Sequence, residues 1–409
     1  IIDSIAERLL NEYVFPDTAR AMVDTLRNLE RRGSYSELGT LEDLLGQIQQ
    51  DLQSVYPDQH LRIGEISEHG APPSLEDEIP SEQMSFWNEF FRFENYGIRA
   101  VTRLDGNVGY IDFRFWPDSA LVTDRILATM SLLRGVDALI IDVRYHMGGR
   151  IEPARLVLSH LFDQPVHFVT SVNRLKDTQV EEWTAAVEER GMLSAVPIWV
   201  LTSNETASGG ELLPFALKNL GRATVVGTRT RGAGLRAHQV TVPHLGLEMY
   251  ISHAADVDPA TGLGWEGTGV LPDVEVPATD ALVRAHLEAL EYLAENVTVI
   301  LPNMKAERDW ALLGLRAKLN DQHPSEGELE RYTGTFGTRR IRVEDGRLLY
   351  QRDSTSSDLS LRHMADDWFM FDSGDLYYVR IHFDVDDSGG VSSLTMAYDN
   401  GQKYTYDRD

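Results

Sequence analysis

The chain of 409 residues contains no cysteine. Disulfide staples, thiol nucleophiles and thiolate metal sites are therefore excluded, while the compartment stays open, because an oxidising compartment permits disulfides without requiring them. No apolar run reaches the roughly 18 to 20 residues that span a bilayer, so no membrane insertion is expected. Basic charge is scarce: 38 Lys and Arg stand against 64 Asp and Glu, for a formal net charge of -26. A surface of that sign repels polyanions, which argues against nucleic acid or an anionic membrane as the main partner. Internal repeats and low-complexity tracts are missing as well. The first residues, "IIDSIAERLLNEY", show neither a basic n-region nor a cleavage site. The expectation is a mature periplasmic or secreted chain whose signal is already absent, with the cytoplasm left open.

What is present is an ordinary globular composition, 42% hydrophobic and 25% charged, at a length that suggests two or three domains. Residues 1 to about 65 carry helical periodicity, with Ile2, Ile5, Leu9 and Tyr13 on one stripe, then Met22 and Leu26, then Leu45, Ile48 and Leu52. Breaks at "FPD", "RRGSYSELGT" and "YPDQH" predict three helices. The acidic, proline-bearing "ISEHGAPPSLEDEIP" reads as a loop, and "SEQMSFWNEFFRFENYG" as a further helix.

From about residue 100 the strands "NVGYIDFRF", "ALIIDVR", "VHFVTSV", "IWVLTS" and "ATVVGT" alternate with helices predicted to start near Thr123, Glu152, Glu181 and Gly209. Such alternation predicts a parallel sheet whose ligands sit at the carboxyl ends of the strands. Beyond two further helices the pattern becomes strand-like, with turns at Asp345-Gly346, Ser373-Gly374, Gly389-Gly390 and Asn400-Gly401, which predicts a small all-β barrel or sandwich. The domains read as an N-terminal helical domain over 1–80, an α/β domain over 81–300, a helical linker over 301–324 and a β module over 325–409.

Two loops at strand ends draw attention. "DVRYHMGGR" and "TSNETASGGE" each put a Gly-Gly pair at or just before a helix start. Glycine there weakens the helix by roughly 1 kcal/mol each, which makes sense where something approaches the backbone closely. Exposed N–H groups at a helix start bind anions, and two such loops facing one crevice could hold a tetrahedral oxyanion. Neither loop matches a dinucleotide or P-loop pattern. Ser208 and Glu211 also spell a capping box, S-x-x-E, so local rules alone make Ser208 a helix cap.

Together these segments resemble the S41 serine peptidases, the group that contains C-terminal processing proteases, tricorn core protease and interphotoreceptor retinoid-binding protein. "LTSNETASGGE" resembles their nucleophile segment, "DVRYHMGG" their D-L-R-x-N-x-G-G segment, and "GWEGTGVLPDVEV" their W-E-G-x-G-V-x-P-D segment. "NYGIRAVTRLDGNVGYIDF" is similar to the entry into the catalytic domain of the retinoid-binding branch. The resemblance covers roughly residues 1 to 295. It implies a crotonase/Clp-protease-like catalytic domain; the C-terminal module is similar to lipocalin-like tails.

The resemblance also assigns roles. Ser208 stands at the nucleophile position, with the N–H groups of Gly209 and of Gly148 or Gly149 at the oxyanion hole. The processing proteases use a lysine in G-x-x-T-x-G-K-G as base, whereas "GTRTRGAG" puts Ala233 there. The tricorn-like branch uses a histidine oriented by a glutamate, and the matching positions are His60 in "PDQHLRIGE" and Glu266 in "GWEG". Serine needs a neutral imidazole to take its proton, and the imidazole needs an acceptor to fix its tautomer. His146, where the family has asparagine, is the rival base or a support of its loop, and Gln59 lies where tricorn-like enzymes often carry serine.

Asp142 and Arg144 read as a structural pair. Only 47 residues separate His60 from Val108, so no PDZ domain fits between them. The implied function is peptide hydrolysis of a peptide or unfolded protein through an acyl-enzyme, without cofactor or metal. The alternatives are a retinoid- or fatty-acid-binding protein on the same scaffold and, less favoured, acyl-CoA chemistry.

Overall fold

The computed structural model describes residues 1–66, 84–298, 301–319, 324–372, 378–386 and 389–409. The expected acidic loop at 66–80 falls almost wholly outside them, as does the Ser373-Gly374 turn. The chain divides into two compact units, Ile1–Thr102 with Gly109–Ala281, and Arg103–Val108 with Leu282–Asp409.

In the first unit the three N-terminal helices are α1 (Ile2–Glu12), α2 (Pro16–Arg31) and α3 (Leu41–Val55). Pro16 begins α2, where its missing N–H costs nothing. Thr40 caps α3 by accepting the Asp43 N–H at 3.0 Å, a contact worth about 1 kcal/mol. After β1 (Arg62–Glu65) come α4 (Met84–Phe93), β2 (Ile98–Leu104), β3 (Val108–Phe113), α5 (Ser119–Leu132), β4 (Ala138–Asp142), α6 (Ile151–Leu161), β5 (His167–Asn173), β6 (Thr178–Trp183), β7 (Ile198–Thr202), α7 (Gly209–Asn219), β8 (Thr224–Gly227), β9 (Leu235–Val242), β10 (Leu247–Val257) and β11 (Val274–Glu275).

Two sheets result. One runs β11-β8-β7-β4-β3-β2, with β4, β7, β8 and β11 parallel. Every residue of β3, β4 and β7 is buried, as a parallel sheet covered on both faces requires. Ile141 and Val200 share a core with Leu158 of α6 and Leu213 of α7. The other sheet runs β1-β10-β5-β6, with β9 also on β10, and all its pairings are antiparallel. The apolar stripes of α1 to α3 cover it, with Leu9, Leu26 and Leu52 packed in one core with Leu247, Met249 and Ile251.

Two expectations fail here for one reason. The strand "VHFVTSV" does not join the parallel sheet, and no helix starts near Glu181, because β5 and β6 form an antiparallel hairpin. Residues 174–177 alone separate them, far fewer than the dozen or so that a parallel crossover needs. The charged run that imitated a helix face is an exposed edge strand, where charge discourages unwanted pairing.

The second unit contains α8 (Ala281–Asn296), α9 (Pro302–Leu319), α10 (Glu326–Leu329) and eight strands in sequential antiparallel order: β12 (Gly334–Phe336), β13 (Arg339–Glu344), β14 (Arg347–Gln351), β15 (Leu359–Ala365), β16 (Trp368–Phe371), β17 (Val379–Val385), β18 (Val391–Tyr398) and β19 (Lys403–Asp407). A bridge between Phe336 and Arg408 brings the first strand to the end of the last, so the sheet is a nearly closed barrel rather than a sandwich. Its interior holds Phe336, Ile341, Tyr350, Phe371 and Phe383. The Asp345-Gly346 turn has φ 50° and 70° at its two residues, the conformation that tight hairpins select.

Candidate active site

Ser208 sits between the buried strand β7 and helix α7 with φ 52° and ψ −130°. A side-chain-bearing residue in that region costs of order 1–3 kcal/mol and persists only where its surroundings impose it. The imposition is visible. Thr206 Oγ1 donates to the Val143 carbonyl at 2.8 Å, the Ala207 N–H to the His146 carbonyl at 3.0 Å, and Ser203 Oγ to the Arg144 carbonyl. The loops after β4 and β7 are thus stitched together. The Ser208 N–H donates to Glu211 Oε2 at 2.9 Å, the half of the capping box that holds the turn from the helix side.

Both glycine pairs are required by close approach. A Cβ on Gly209 would lie 2.2 Å from the Gly149 carbonyl oxygen, and one on Gly210 would lie 2.4 Å from His146 Nδ1. Gly149, at φ 119°, has the Trp116 carbonyl oxygen 2.1 Å from where its Cβ would be.

Around that loop, Asp142 pairs with Arg144 at 2.7 Å and accepts the Tyr110 hydroxyl at 2.7 Å, which satisfies a carboxylate at a buried strand end. His146 is fully buried, its ring centroid 4.6 Å from that of Trp116, and its Nδ1 accepts the Gly148 N–H at 3.1 Å. An accepting Nδ1 leaves the proton on Nε2. Burial, followed by the charge of Arg114, lowers its pKa to about 3, so the ring stays neutral and its lone pair is committed to the loop.

A cavity of about 470 Å³ opens beside the serine, lined among others by Gly149, Ser208, Gly209, Ala233, Gly234 and Trp265. Its wall at Ala233 and Gly234 is held by two glutamates, Glu211 buried and Glu266 part-buried. Glu211 accepts the N–H of Gly232 at 2.7 Å, the N–H of Ala233 at 2.8 Å and the Thr230 hydroxyl at 2.5 Å. Glu266 accepts the N–H of Gly234 at 2.5 Å and of Leu235 at 3.0 Å through Oε2, and of Gln59 at 3.1 Å through Oε1. Burial raises the pKa of both against these donors. For Glu266 it reaches about 7, with the charge of Asp58 adding to burial.

Asp58 is the residue that the sequence reading missed. It is fully buried and accepts the N–H groups of His60 at 2.8 Å and Leu61 at 3.1 Å. One ligand atom from each of Asp58, His60 and Glu266 lies within 4.8 Å of the others, a group that could hold a metal ion. Burial lowers the His60 pKa, with Asp58 opposing the shift and Arg62 adding to it. Gln59 is exposed and contributes only its backbone N–H. The available signal was a carboxylate two residues before the histidine, inside the stretch that carries His60. The structure brings His60 to Glu266, and Ser208 to Gly149 and Gly209; the segment Gly232–Leu235 connects the two groups.

The sequence profile of peptidase family S41 matches residues 107–276, and that of the N-terminal domain of peptidase S41 in eukaryotic IRBP matches residues 1–89. A carboxyl-terminal-processing protease of Picosynechococcus is 31% identical over 172 residues, which are 42% of this chain and 39% of the relative. Carboxyl-terminal-processing peptidase 1, chloroplastic, of Arabidopsis thaliana is 26% identical over 142 residues, 34% of this chain and 28% of the relative. The chain thus spans about two fifths or less of the length of these two relatives. A solved structure from Parabacteroides merdae, described as a candidate peptidase, covers 73% of this chain and 98% of its own with a TM-score of 0.52 at 17% identity, a likeness of fold. Among the described residues no helix is long and apolar enough to cross a membrane.

Proposed function

This chain belongs to peptidase family S41, and we propose that it is a serine peptidase that cleaves peptide bonds of a peptide or unfolded protein through an acyl-enzyme, with Ser208 as nucleophile, His60 as general base and Glu266 as the carboxylate that orients it. The observation that carries this reading is Ser208 itself, held in a strained left-handed conformation at a strand-to-helix turn and facing a cavity with Gly149 and Gly209. Such a turn exposes a serine hydroxyl beside helix-start N–H groups.

In the proposed reaction His60 accepts the Ser208 hydroxyl proton as the oxygen attacks the peptide carbonyl. The oxyanion takes the N–H groups of Gly209 and Gly149; that of Gly148 is already given to His146. Collapse delivers the proton to the departing amine, and water releases the acyl group by the same steps. Glu266, with Asp58 beside it, stabilises the imidazolium. His146 supports the loop, because a committed lone pair cannot take a proton. No metal or cofactor has a part in these steps. The proposal extends to a crotonase/Clp-like catalytic domain, a lipocalin-like C-terminal module and a periplasmic or secreted location.

Ser208→Ala should lower peptide hydrolysis by roughly 10⁴-fold or more and abolish labelling by a serine-reactive phosphonate, with an unchanged circular dichroism spectrum. Hydrolysis retained by the variant would overturn the assignment.

A further inference from the structure

Asp58 Oδ2 and His60 Nδ1 are both buried without a hydrogen-bond partner of good geometry, as is the Tyr13 hydroxyl, which lies near Asp58. Buried polar atoms are nearly always paired, so orphans gathered in one cluster require an explanation. A catalytic relay supplies half of it: a proton on Nδ1 can serve one carboxylate. Two carboxylates stand beside this imidazole, since the ligand atoms of Asp58, His60 and Glu266 lie within 4.8 Å of one another. The cluster therefore offers one carboxylate more than a relay uses. Glu266 Oε1 accepts only the Gln59 N–H among the described hydrogen bonds, and an ionised carboxylate oxygen has a second lone pair.

One imidazole nitrogen and two carboxylate oxygens form a donor set suited to a divalent transition metal, with zinc bonds of about 2.0–2.2 Å and a fourth position left for water. His60 and Glu266 are each part-exposed, which leaves a cation a way in.

We propose that Asp58, His60 and Glu266 bind one divalent cation of the zinc class, and that its binding switches the catalytic base off. The inhibitory half rests on His60 being that base. In the proposed relay the proton sits on Nδ1, and Nε2 is the nitrogen that takes the serine proton. A cation on Nδ1 needs the lone pair there, so the ring proton moves to Nε2, and a ring protonated at Nε2 cannot accept the serine proton. The cation therefore replaces the relay proton and acts against catalysis rather than supporting it.

The full chain is titrated with Co²⁺, whose visible absorption reports nitrogen and oxygen ligation, and Zn²⁺ is used to displace it. One saturable site is expected in the wild type and in Ser208→Ala, with binding at least about tenfold weaker in Asp58→Asn and Glu266→Gln. Zn²⁺ should inhibit peptide hydrolysis over the range in which it displaces Co²⁺, reversibly with a chelator. The absence of a saturable site up to on the order of 1 mM would overturn the proposal. So would binding that survives Asp58→Asn but is lost in His238→Ala, because His238 and His253 form a separate pair with ring centroids 5.0 Å apart. Co²⁺ binding without phosphonate labelling of Ser208 would leave the cation site standing and remove the peptidase reading; labelling without Co²⁺ binding would do the reverse.

Discussion

Glu211 and Glu266 take hold of consecutive backbone N–H groups along one short segment: Glu211 those of Gly232 and Ala233, Glu266 those of Gly234 and Leu235. Both carboxyl groups are raised in pKa by burial. They differ in company. Glu211 gathers two more donors, the Ser208 N–H and the Thr230 hydroxyl, so donors surround it. Glu266 has the Gln59 N–H and, against it, the carboxylate of Asp58, whose charge adds to burial in raising its pKa to about 7. A buried carboxylate encircled by donors is an anchor, while one set against a second carboxylate is poised to exchange a proton near neutral pH. The segment between them ties the serine side of the site to the histidine side.

The sharpest way to separate the two is to remove each charge. Glu266→Gln should cut kcat/KM by roughly 10³- to 10⁴-fold, the scale set by neutralising the orienting acid of a serine triad, while the fold persists. Its pH behaviour should change as well. The raised pKa of Glu266 means that the folded state binds its proton more tightly than the unfolded chain does. That contribution is fully present below about pH 4.5 and is lost as pH rises to about 7, a loss of roughly 3 kcal/mol. Urea denaturation across that window should show the slope in the wild type and not in Glu266→Gln. Burial already keeps His60 neutral below its ordinary range, so the acidic limb of the wild-type activity profile should follow Glu266 and lie near pH 7. An acidic limb unchanged in Glu266→Gln would contradict this division of roles.

Glu211→Ala is expected to act on stability first. It strands the Ser208, Gly232 and Ala233 N–H groups and the Thr230 hydroxyl, and should cost about 3–5 kcal/mol, read as a shift of the urea midpoint. A loss under about 1 kcal/mol would show that water replaces the carboxylate and that Glu211 is no anchor. Gln59→Ala is the smallest expected change. Because only the backbone N–H of Gln59 reaches Glu266, stability should hold within about 0.5 kcal/mol and activity should barely move. A marked fall in kcat would mean that the side chain itself takes part.

Most elements near the site were legible in the sequence, because local signals and tertiary packing agree there. The apolar runs of β4 and β7 are buried throughout, and the Gly-Gly pairs lie where backbones touch. The turn residues of the C-terminal barrel mark its hairpins at Asp345-Gly346 and Asn400-Gly401. What stayed hidden depends on partners distant in the chain. Glu181 looked helical because an exposed edge strand carries the same charged residues as a helix face. Asp58 was passed over because its importance comes from Glu266, which the fold delivers from 207 residues further along to the adjoining Gln59 N–H. Which of Gly148 and Gly149 keeps its N–H available depends on the buried ring of His146, and no spacing rule records the direction of a side chain.

The left-handed backbone of Ser208 sets chemistry against durability. Alanine at this position keeps a Cβ and inherits the conformational cost, whereas glycine has none and accepts φ 52° freely. Ser208→Gly should therefore outlast both Ser208→Ala and the wild type in thermal melting while being unable to form an acyl-enzyme. If it does, a change that disables the chain also makes it more robust, and a thermostability screen blind to activity would select against the serine.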